Sequence, residues 1–202
     1  MATSKRFLLI GLTICAVSVI IWLGISLQKS RGAARIFGQL QEAETSDHAK
    51  DELVNLAVTN PDARRYLEAH LPQLIADEKA LHSNNSVWIN AVHLAGDLQI
   101  DEAAPSLVRW IGLEWGEPSD MSRYGAMEDN PPGQALVKLG DQAVPVLKDV
   151  LDHGSIKERT NAVRALFLIG SEHAKRALTE HLKDESDPQL RKTIEGIARE
   201  SK

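Results

Sequence analysis

The segment Asp101-Glu102-Ala103-Ala104-Pro105-Ser106-Leu107 recurs forty residues on as Asp141-Gln142-Ala143-Val144-Pro145-Val146-Leu147, with five of the seven positions identical or similar. Each copy follows an apolar run that reaches a glycine: Asn90-Ala91-Val92 up to Gly96, and Ala135-Leu136-Val137-Lys138-Leu139-Gly140. A third run, Asn161-Ala162-Val163-Arg164-Ala165-Leu166, reaches Gly170 and is followed by Ser171 and a stretch carrying Ala174, Leu178 and Leu182. A last run, Leu190, Ile194, Ile197 and Ala198, reads as the first helix of a further unit that closes the array. Self-similarity at this interval is the signature of a repeat architecture, in which each small unit is apolar on two sides and must stack on its neighbours.

The units are helical. Apolar residues after position 36 recur three and four apart, as in Leu53, Leu56, Ala57 or Leu147, Val150, Leu151, and breakers such as Asn60-Pro61, Asn130-Pro131-Pro132 and Asp187-Pro188 separate the runs. Glycine ends the first helix of each pair because it tolerates the left-handed conformation. Asp101, Asp141 or Ser171 then caps the second helix through a side-chain oxygen. Pro105 and Pro145 fall in the first turn, where a missing amide donor costs little.

The pattern Ala-Leu-x-x-Leu-Gly-Asp-x-Ala-Val-Pro-x-Leu at 135–147 resembles the HEAT-like repeats, including the variety named after phycobilisome lyases. The resemblance covers residues 86–200. Residues 36–85 fit it loosely, as a helical N-terminal cap or a degenerate repeat. It implies a protein-binding scaffold, because function on such folds lives in grafted surfaces and not in the fold.

Ahead of the repeats, Phe7 to Leu27 is a run of 21 residues without a charge, which as a helix spans about 31 Å at roughly 1.5 Å per residue and matches a bilayer core. The expected organisation is a tail at 1–6, a transmembrane signal anchor at 7–27, a basic juxtamembrane segment at 28–35, the segment 36–85, and repeats at 86–200. The fold class is therefore expected to be all-α, a short α-solenoid of HEAT-like helical hairpins preceded by one transmembrane helix. A cleaved signal would have a shorter apolar core. Ile14 is too large to precede a lipidated Cys15. A short tail before the first apolar helix predicts a single-pass protein of a bacterial inner membrane with its C-terminal domain extracytoplasmic, although Lys5 and Arg6 before the helix nearly balance Lys29, Arg31 and Arg35 after it.

Five of the 23 basic residues and none of the 28 acidic ones lie in residues 1–35, so the remainder carries 18 against 28, a net charge of −10. That balance argues against nucleic acid, whose phosphates need clustered Lys and Arg. It either suits partners with basic faces or serves only solubility. The single cysteine, Cys15, leaves residues 36–202 without a thiol. The resemblance brings two enzyme classes into view. Deoxyhypusine hydroxylase uses paired His-Glu dipeptides for its metals, whereas this chain has only the reverse order, Glu172-His173 and Glu180-His181, which reads as solvated helix faces. Bilin lyases attach or detach a bilin on cysteine with help from partner subunits, a reading strained by the expected membrane anchor and by the lack of cysteine in residues 36–202. No metal, no cofactor and no catalytic residue is expected.

Gly96 and Gly140 are 44 residues apart but Gly140 and Gly170 only 30, so an insertion of about fourteen residues interrupts the array near 112–129. A loop this long in a compact stack is commonly functional, and it holds Trp115, Met121, Arg123, Tyr124 and Met127, residue types that interfaces favour. These five are the expected partner-binding residues, with Trp115 and Met121 folding back over the ends of the adjacent helices as the alternative. The expected function is a membrane-anchored interaction scaffold without catalytic activity, with an accessory subunit of a membrane complex as the alternative and, behind it, a bilin-lyase-like or di-metal HEAT-repeat enzyme.

Overall fold

The computed structural model describes residues 31–83, 85–113, 127 and 129–200. All regular elements among them are helical: residues 31–40 (α1), Ser46–Thr59 (α2), Pro61–Ala76 (α3), Glu78–Ser83 (α4), Asn85–Asp97 (α5), Ala104–Val108 (α6), Pro131–Leu139 (α7), Val144–His153 (α8), Ile156–Ile169 (α9), Glu172–His181 (α10) and Pro188–Glu200 (α11). They form two layers. In one, α2, α5, α7, α9 and α11 pack side by side in that order; in the other, α3, α6, α8 and α10 do the same. Each second-layer helix also packs on the first-layer helix that follows it, α6 on α7 and α8 on α9. One continuous apolar core runs between the layers from Ile36 to Ile197. A solenoid of helical hairpins is therefore what the chain builds.

The helix starts follow from local chemistry. Asn60 accepts from the Asp62 and Ala63 amides at 3.0 and 3.4 Å ahead of Pro61. At α9 the Ser155 hydroxyl accepts from the Glu158 amide while the Glu158 carboxylate accepts from the Ser155 amide at 2.7 Å, a reciprocal capping box. Those bonds from Ser155 hold the Glu158 carboxyl below its ordinary pKa. Ser171 caps α10 as expected, accepting from Ala174 at 3.1 Å.

The two aspartates do not cap. Asp101 and Asp141 lie inside short 3-10 turns, Asp101–Ala103 and Gly140–Ala143, that precede α6 and α8. Asp141 instead reaches the next repeat, where the Ser171 hydroxyl and His173 bond its carboxylate and lower its pKa. Gly96 departs from expectation as well. It lies within α5, and the residue with positive φ after that helix is Gln99, at +50°. Gly140 and Gly170 do hold positive φ, +63° each. Gly96 serves packing: a Cβ there would stand 2.9 Å from Ala135 Cα, so its absence lets α5 and α7 approach.

Residues 31–40 are helical and bury Ala33, Ile36, Phe37 and Leu40, with the Phe37 ring edge-on to Tyr66 of α3. Residues 31–35, expected as part of a basic juxtamembrane linker, are thus part of a packed helix. The α2/α3 pair adds a hairpin in line with the others. The anchor expected at 7–27 lies outside the described residues. Among those described, no helix is long and apolar enough to cross a membrane; α3, with 16 residues, reaches only about 24 Å against a hydrocarbon core of about 30 Å. The expected single-pass, extracytoplasmic localisation is corrected on this finding.

Candidate interaction surface

The insertion enters and leaves the stack at one clamped point. Asn130 caps α7 by accepting from the Gly133 amide at 2.8 Å, and its side-chain NH₂ donates to the carbonyls of Ile111 at 2.8 Å and Leu113 at 3.2 Å. Asn161 of α9 donates to the same Ile111 carbonyl at 2.8 Å. Two buried side-chain amides, one from the N-cap of α7 and one from α9, therefore meet on the Ile111 carbonyl and hold the two ends of the insertion together. Asp129, at the exit, lies 3.6 Å from the Arg164 guanidinium.

Of the five expected contact residues, Trp115, Met121, Arg123 and Tyr124 lie outside the described residues. Met127 is fully buried, with φ +55°, and its sulfur lies 2.9 Å from where a Gly133 Cβ would sit. The structure thus makes Met127 a core residue that seats the loop exit on α7, not a side chain offered to a partner.

A buried polar knot ties α9, α10 and the turn before α11. Glu185 takes both arms of the Arg159 guanidinium at 3.1 Å, meets His181 Nε2 at 2.9 Å and accepts from the Asp187 amide at 2.7 Å. Burial alone would raise the Glu185 carboxyl, but these donors outweigh it and bring its pKa down to about 2. His181 is buried, contrary to the solvated face expected for it, while His173 is exposed and pairs with Asp141 at 2.9 Å. Asp152 stands 3.7 Å from His181 Nδ1, at the edge of a 180 Å³ cavity. Among the described residues no three His, Cys, Asp or Glu side chains are placed to hold a metal ion.

Three grooves open on the outside of the C-terminal hairpins. Between α8 and α10 a 430 Å³ groove has an apolar floor of Val144, Pro145 and Ala177, and it is bridged by the Lys148 to Glu180 pair at 2.6 Å. Between α10 and α11 a 380 Å³ cleft is lined by Leu178, Leu182, Ile194 and Ile197. Between α9 and α11 a polar groove of 710 Å³ is lined by Thr160 and Arg164 on one side and by Lys192, Thr193, Gly196 and Arg199 on the other. The α11 side of that groove is legible in the sequence as a stripe at helical spacing. Its pairing with Arg164 is not, because that depends on which helices lie side by side.

Residues 133–198, from α7 into α11, match the HEAT repeat family. No curated protein and no solved structure matches the chain. The C-terminal hairpins are thus HEAT-like repeats, a kind of unit that generally mediates protein–protein contact.

Proposed function

We propose that this chain is a protein–protein interaction scaffold without catalytic activity, a short stack of HEAT-like hairpins that holds a partner protein on its outer grooves. The observation that carries this reading is the pairing of a closed, continuous core with open grooves between successive hairpins, 380 to 710 Å³ in volume, with charged rims. Open grooves between stacked hairpins are the kind of extended surface that repeat proteins use for binding, and rigid helices hold their side chains in fixed register for recognition. The finer likeness, to the phycobilisome-lyase variety, rests on the motif at 135–147 and is read as kinship of fold alone, because function on such folds lives in grafted surfaces.

Cross-linking of the full chain in its native extract, followed by identification of attached proteins, tests the proposal. Leu147→Asp serves as the disrupted control: Leu147 is fully buried, and an unpaired charge there costs several kcal/mol in order of magnitude. A small set of proteins attached to the native chain and not to the variant is the expected result. Equal capture by both, or none by the native chain, overturns it.

A further inference from the structure

The net charge of −10 beyond residue 35 hides a local reversal. The groove between α9 and α11 is lined by Arg164, Arg191, Lys192 and Arg199 against a single acid, Glu195. Among the described residues the ion pairs these cations make are long: Arg199 to Glu195 at 3.8 Å and Arg164 to Asp129 at 3.6 Å. Arg191 donates to the Glu185 backbone carbonyl, a neutral acceptor. The floor is small, with Thr160, Thr193 and Gly196 between the cationic walls, so a ligand backbone can come close.

We infer that this groove binds an acidic peptide segment of the partner; the inference rests on the scaffold reading and gives it a site and a chemistry. Carboxylates seated between the walls meet guanidinium and ammonium donors within hydrogen-bonding reach, and such charge-assisted bonds are the strong ones. The ligand is a peptide and not a nucleic acid for an electrostatic reason. A short acidic segment feels mainly the groove, whereas a long polyanion also meets the acidic remainder of the domain.

The test uses the full chain and a fluorescein-labelled octapeptide alternating Glu and Ala, read by fluorescence anisotropy. The Gln/Ala octapeptide with the same label and a labelled single-stranded DNA of about forty nucleotides, long enough to extend past the groove over the acidic remainder of the domain, are the comparisons. The expected result is saturable binding of the Glu peptide only, weakened by ~10-fold or more in the double variant Lys192→Glu, Arg199→Glu and by raising salt from 0.05 to 0.3 M, as contacts between exposed charges require. Both altered residues are exposed, and unchanged helicity by circular dichroism confirms that the variant is folded. Absence of saturable binding, binding undiminished by the double variant, or oligonucleotide binding as tight as the peptide's overturns the inference. A cross-linked partner that the double variant retains overturns the groove while leaving the scaffold standing.

Discussion

Trp88 and Trp110 donate their indole N–H groups to one acceptor, the carbonyl of Ile75, at 2.9 and 2.8 Å, with their rings edge-on and 6.3 Å apart between centroids. Ile75 is the next-to-last residue of α3, where helix carbonyls lack an intrahelical partner. The two tryptophans come from α5 and from the turn after α6, so the shared carbonyl fastens one hairpin to the next.

Each indole leaves the carbonyl satisfied if the other is lost. Trp88→Phe and Trp110→Phe should each cost about 1–2 kcal/mol, Trp88 the more because it is fully buried. The double variant should exceed their sum by about 1 kcal/mol, since only then is the carbonyl stranded. Urea unfolding of the four chains checks this, and strict additivity would contradict the shared-acceptor account.

Gly96 and Gly170 should respond to substitution in opposite ways. Gly96→Ala places a methyl 2.9 Å from Ala135 Cα and should cost about 1–3 kcal/mol through overpacking, with Gly96→Asn worse. Gly170 is a left-handed cap with φ +63° and ψ 5°, so Gly170→Asn should stay within about 1 kcal/mol, as asparagine tolerates that conformation. Thermal melts of the three variants decide whether spacing or dihedral controls each site.

The Glu185 knot predicts an acid dependence. A carboxylate held at about 2 against an ordinary value near 4.5 contributes stability that is complete above the ordinary value and is lost as pH falls toward 2. Glu185→Gln leaves Arg159 without its counter-charge and should cost about 3 kcal/mol at pH 7. The gap between the two chains should close between pH 4.5 and about 2. Urea midpoints at pH 7, 4 and 3 measure it, and a gap independent of pH would show that Glu185 is not the group responsible.

Asn130 joins a helix cap to a loop stem. Asn130→Ala removes the acceptor of the Gly133 amide and both donors to the Ile111 and Leu113 carbonyls, while Asn161 still serves Ile111. The expected cost is about 2 kcal/mol, accompanied by faster hydrogen exchange at the Gly133 amide. An unchanged exchange rate there would argue against the cap.

The internal repeat, its helical period and its stacking were legible because they depend on spacing along the chain and on the need to bury two faces of each hairpin. Ser171 and Gly170 read correctly for the same reason: a cap or a left-handed turn involves neighbours in sequence. Gly96 did not, since its role is set by Ala135, 39 residues away. His181 looked like an exposed helix position until Arg159 and Glu185 enclosed it.

The interaction surface divides along the same line. The amphipathic pattern of α11 exists in the sequence, its apolar stripe and its basic stripe both at helical spacing. Tertiary structure alone decided that Arg164 faces that basic stripe, that Met127 turns into the core, and that Asn130 and Asn161 meet on one carbonyl. Local periodicity specifies which face of a helix is apolar or charged. Which other helix meets that face is settled by packing between residues distant in the chain, and packing is where a groove acquires its second wall.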